Sequence, residues 1–74
     1  MKTEQQIKAA IAKNIQAFKK TENMTYPDLA EITGVNDRSA QAWANGAYMP
    51  SLYNAYLMAD AMGMSLDELI GGTK

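Results

Sequence analysis

The chain has 74 residues, 47% of them hydrophobic and 20% charged, with a net charge of −1. It holds neither Cys nor His, which removes disulfides, zinc-finger ligation, thiol nucleophiles and imidazole acid–base chemistry together. The length suits one small domain spanning 1–74, and no apolar run approaches the ~20 residues of a membrane span, so a cytoplasmic protein with no membrane partner is expected.

The charge is unevenly spread. Residues 1–24 carry five Lys against two Glu, a net +3, whereas residues 25–50 carry Arg38 against Asp28, Glu31 and Asp37, and residues 51–74 also sum to −2. Positive charge therefore gathers on the first helix.

Thr3 and Gln6 have capping-box spacing, and Ile7, Ile11, Ile15 and Phe18 recur at intervals of four, four and three. This pattern predicts an amphipathic helix over about 4–20. Lys19 and Lys20 fall in its last turn, where positive charge suits the helix dipole. Lys8 and Lys13 read as a solvated face.

Thr25 is placed to cap a second helix, 26–33, with Pro27 in the first turn, where a missing N–H costs nothing. Asp28 complements the helix start, and Leu29, Ala30 and Ile32 are the expected apolar contacts. Gly34 stands where a left-handed residue is wanted. Val35 precedes Asn36, the expected cap of a third helix over 37–44, and can staple onto Ala40. On that helix Ala40, Trp43 and Ala44 share one face and Arg38, Gln41, Ala42 and Asn45 the other. Leu29, Ala40 and Trp43 are the expected core anchors. Gly46 closes the segment.

Pro50–Ser51 opens a fourth helix, 52–62, stopped by Gly63. Ser65 and Glu68 form another capping box, with Met64 and Leu69 as its staple, for a short fifth helix over 66–70. Nothing alternates with the period of a strand. The expected fold class is all-α with five short helices.

Residues 25–50 thus read as capped helix, tight Gly turn and second capped helix. This is a helix-turn-helix, whose usual task is to lay one helix in the DNA major groove.

The ordered set Thr25, Leu29-Ala30, Gly34-Val35, Trp43, Gly46, Pro50-Ser51-Leu52, Asn54, Ala59, Gly63 and Ser65-Leu66-Asp67-Glu68-Leu69 resembles the lambda-repressor/Cro-like helix-turn-helix family of phage and bacterial transcriptional regulators. The resemblance runs from Ile11 to Ile70. It implies a partner, double-stranded DNA, bound as a homodimer and without a cofactor. It implies base contacts by Arg38, Ser39, Gln41 and Asp37, and backbone contacts by Tyr26, Asn36, Asn45 and Tyr48. The N-terminus of the second helix would offer N–H groups to a phosphate.

Three features depart from the family's pattern. Tyr26 stands where Gln is frequent, and Ala47-Tyr48-Met49 where the loop often carries Lys or Arg. Ala44 faces Lys19 where an acidic residue would pair with a base. The fourth helix is apolar or aromatic nearly all round, and Tyr53, Tyr56 and Leu57 form a possible dimer or partner surface. Six Met residues add adaptable surface. Dimerisation is expected to use the fourth helix, the fifth, or the tail 71–74.

Two functions follow. The first is a sequence-specific DNA-binding regulator of phage or prophage Cro or repressor type. The alternative is a protein-binding modulator or antirepressor that captures another transcriptional regulator. Catalysis is not expected, because no nucleophile, base and orienting group come together.

Overall fold

A computed structural model describes residues 3–72, which form α1 (Glu4–Thr21), α2 (Tyr26–Thr33), α3 (Asp37–Ala44), α4 (Leu52–Met62) and α5 (Leu66–Leu69). Among the described residues there is no strand. Of the tail 71–74, residues 73 and 74 lie outside the described part. No described helix is long and apolar enough to cross a membrane.

The helix starts are set by short-range chemistry. At α1 the Thr3 hydroxyl accepts from the Gln6 N–H (3.1 Å) while the Gln6 side chain accepts from the Thr3 N–H (2.9 Å). Thr25 and Asp28 form the same reciprocal pair at α2, and Ser65 and Glu68 at α5. Asn36 caps α3 through the Arg38 N–H (2.8 Å), and Ser51 caps α4 through the Asn54 N–H (3.2 Å).

The helix ends are equally local. α1 runs to Thr21 and closes through Asn23, which takes φ 55° while the Met24 N–H returns to the Lys19 carbonyl. Asn is one of the few residues with a side chain that tolerates this conformation. α2 ends at Gly34, φ 78°, whose N–H donates to the Ala30 carbonyl (2.8 Å).

One core joins the helices. Ile11 and Ile15 of α1, Leu29 of α2, Ala40, Trp43 and Ala44 of α3, Ala55, Met58, Ala59 and Met62 of α4 and Leu69 of α5 are all buried, together with Val35. Trp43 is the largest of them, and the methyl-sized Ala40 and Ala44 beside it let α3 sit close to α1 and α2. The side chain of Asn14 ties the ends of the chain together, donating to the carbonyls of Glu68 (3.0 Å) and Leu69 (2.9 Å). Those carbonyls close α5, which has too few residues to satisfy its own C-terminus.

Two expectations about facing are corrected. Ile32, expected as an apolar contact, is exposed, and Thr33 is buried instead. Leu29 and Thr33, four apart, are the pair that faces the core, leaving Ile32 on the flank. The buried Thr33 hydroxyl is satisfied: it donates to the Leu29 carbonyl (2.7 Å) and accepts from the Val35 N–H (3.3 Å). The second correction concerns α4. Leu57 packs against the core, while Leu52, Tyr53 and Tyr56 stand in solvent.

Candidate nucleic-acid interface

α3 has one inward and one outward side, and burial separates them cleanly. Ala40, Trp43 and Ala44 are buried, whereas Arg38, Gln41 and Asn45 are exposed. The exposed three are spaced i, i+3 and i+7, which lines them along one stripe of the helix. Asp37 is exposed beside them at the helix start, and Ser39 is half-buried. Arg38, Ser39, Gln41 and Asp37 therefore come from two turns of one helix.

The four residues expected to touch DNA backbone divide into two groups. Asn36 is exposed at the start of α3, but its side-chain oxygen already holds the Arg38 N–H, leaving its amide N–H groups outward. Asn45 and Tyr48 are exposed just beyond the end of α3, in the loop that leads to α4. Tyr26 behaves differently. It is half-buried and packs on the core, and the Lys19 ammonium lies over its ring, 4.7 Å from the centroid.

Around that pair is an open groove of about 450 Å³, lined by Gln16, Lys19, Lys20, Asn23, Met24 and Tyr26. Among the described residues it is the place where two cations, two amides and the start of α2 converge. In the sequence Lys19 and Lys20 suit the helix dipole, and nothing marks Gln16 or Asn23 for this groove. The signal that could have found them is the density of positive charge before residue 25 together with the αL-tolerant Asn23 that turns the chain back.

The expectation of several open N–H groups at the start of α2 is corrected. The Thr25 N–H goes to the Asp28 carboxylate, the Asp28 N–H goes to the Thr25 hydroxyl, and Pro27 has none. Only the Tyr26 N–H of that first turn remains, and the Asp28 carboxylate offsets the positive helix end. Attraction for an anion at this end of the molecule falls to Lys19 and Lys20.

The absent ion pair between α1 and α3 is replaced by a neutral contact. The side-chain amide of Gln16 donates to the Ala44 carbonyl at the end of α3. Lys19 is thus released from α3 and is available to Tyr26. An α1–α3 link survives without any charge beneath α3.

The exposed α3 stripe and the Lys19–Lys20 groove sit in a fold with known relatives. The family model described as helix-turn-helix, of the Cro/C1 type, matches residues 15–69, from the middle of α1 to the end of α5. Among solved structures, the chain is similar to a hypothetical transcription factor, NHTF, from Neisseria. The identity is 24%, covering 95% of this chain and 80% of that one, with a TM-score of 0.79, a likeness of fold. The comparison with curated proteins finds no match. The match across all five helices places the chain in the Cro/C1-type helix-turn-helix family, whose members are DNA-binding transcriptional regulators.

Proposed function

We propose that the chain is a small sequence-specific regulator of phage or prophage Cro or repressor type, acting in the cytoplasm as a homodimer and reading the major groove with α3. The observation that supports this reading is the exposed stripe Arg38–Gln41–Asn45 opposite the buried Ala40, Trp43 and Ala44. Among the described residues, no hydrogen bond or ion pair holds the side chains of that stripe to the fold. The Arg38 guanidinium matches guanine O6 and N7, and Gln41 matches adenine N6 and N7. Ser39 accepts or donates at either, and Asp37 can accept from a cytosine amino group.

Tyr26, Asn36, Asn45 and Tyr48 set the register on phosphate and sugar, with Lys19 and Lys20 adding charge at the α1–α2 end. Fold alone does not fix function, so the reading rests on these named side chains. Its test is selection from a randomised duplex pool at low salt. Enrichment of a paired motif supports it. A pool with no preferred sequence contradicts it.

A second reading, capture of another transcriptional regulator, is favoured by the low positive charge of residues 25–50 and by the exposed aromatic side chains of α4. Salt separates the two. Duplex binding through phosphates weakens steeply as salt rises, whereas an apolar protein contact does not.

A further inference from the structure

The outward side of α3 is not uniformly polar. Ala42 lies one turn beyond Arg38, flanked by Gln41 and Asn45. Ala40 and Ala44 are sunk in the core, whereas Ala42 is half-buried, with part of its surface open on the side that carries Arg38.

The turn after the helix finishes this spot. Gly46 takes φ 74°, its N–H donates to the Trp43 carbonyl (3.1 Å), and the Ala47 N–H donates to the Ala42 carbonyl (3.0 Å). This pair of bonds folds the chain back over the last turn of α3 and returns Ala47, itself exposed, toward Ala42. With its carbonyl already bonded, Ala42 offers a methyl group and no free acceptor.

We propose that Ala42 is a specificity-determining residue that reads the 5-methyl group of a thymine in the major groove. The proposal rests on the DNA reading above and adds to it a base contact made without a hydrogen bond.

Chemistry selects the target. The major-groove edges of the four base pairs present acceptors, amino donors and one apolar group, the thymine methyl. A methyl side chain set against an amino or carbonyl group strips its water and returns no partner. Set against the thymine methyl, it removes apolar surface from water on both sides.

Position selects the base pair. Arg38 and Ala42 are four residues apart, a rise of ~6 Å along the helix, against ~3.4 Å for each base step. The thymine therefore belongs one or two pairs from the guanine that Arg38 takes.

The experiment uses the duplex enriched from the randomised pool. Each thymine near the pair that Arg38→Ala identifies is replaced in turn by deoxyuridine, which keeps every hydrogen-bonding group and loses only the methyl. Wild type is expected to bind about threefold to fivefold more weakly at one such position of each half-site. Ala42→Gly is expected to bind the thymine and uracil duplexes alike. Glycine loosens a helix, so the readout is this ratio and not absolute affinity. Ala42→Ser, which puts a hydroxyl at the contact, is expected to shrink the same ratio with an unchanged helical circular dichroism spectrum. Cytosine and 5-methylcytosine at that position give a second readout, with wild type expected to prefer the methylated base.

Wild type that binds thymine and uracil duplexes alike at every position overturns the proposal. So does a methyl preference retained in full by both variants, equal binding of cytosine and 5-methylcytosine, or an enriched site with no thymine that close to the Arg38 pair. Failure of the DNA reading is distinct: no duplex is enriched at all, and the proposal falls with it.

Discussion

The Lys19 ammonium lies 4.7 Å from the centre of the Tyr26 ring, joining the last turn of α1 to the first turn of α2. A cation over an aromatic face at a partly exposed site is worth about 0.5–1 kcal/mol. More important for binding, the ring holds a flexible side chain in one place beside Lys20 and Asn23. Lys19→Gln is expected to weaken duplex binding about equally for all sequences and to lower the slope of log affinity against log salt by about 1. Tyr26→Phe keeps the ring and is expected to keep the slope, whereas Tyr26→Leu removes the platform. Titration of one duplex at four salt concentrations checks this; identical slopes for wild type and Lys19→Gln would remove Lys19 from the interface.

Thr33 gives a test of the turn itself. Its buried hydroxyl bridges the Leu29 carbonyl and the Val35 N–H, helping to fix the three residues between α2 and α3. Thr33→Val keeps the shape and leaves the Val35 N–H without a partner, a loss of about 1–3 kcal/mol. Thr33→Ser restores the hydroxyl and most of the stability. Urea unfolding of the three proteins decides the matter, and a Val variant as stable as wild type would show that the bridge contributes nothing.

Trp43 anchors α3 in the core. With 6% of its surface exposed, Trp43→Ala is expected to lose about 3–5 kcal/mol, a large share of the stability of a domain of this size. The expected result is a strongly lowered melting temperature or a chain unfolded at 37 °C. Melting at the wild-type temperature would contradict its core role.

Gly34 tests the helix end. Its φ of 78° favours glycine, and a Cβ there would meet no other atom. Gly34→Ala therefore carries a purely conformational cost, about 1 kcal/mol. Equal stability of the two proteins in thermal unfolding would show that the turn relaxes without penalty.

Much of this architecture was legible because caps act over three or four residues. Thr25, Gly34, Asn36, Gly46, Ser51 and Gly63 each announce a boundary through their own chemistry, and α2, α3 and α4 begin and end where those signals put them. α5 closes one residue early, at Leu69, because Ile70 already belongs to the turn. Facing was harder to read. α4 is apolar nearly all round, so its sequence has no phase, and only packing reveals that Leu57 turns inward and Leu52 outward. Thr33 was missed for the opposite reason: a polar residue at a core position is recognisable only once its two hydrogen-bond partners are in place. Of the candidate interface, the α3 stripe was readable from the apolar and polar phasing of one helix. The Lys19–Tyr26 pair and the Gln16–Ala44 bond were not, because each joins two elements whose relative placement is set by the core.

Base reading by α3, as proposed, depends above all on Arg38, the exposed guanidinium of its first turn. The direct measurement is affinity for the selected duplex and for single-base variants of it, for wild type and Arg38→Ala. The expected loss is about 1–3 kcal/mol on the selected site, with discrimination relaxed at one base pair of each half-site and unchanged elsewhere. Equal affinity and an unaltered base preference in Arg38→Ala would contradict base reading by this face of α3.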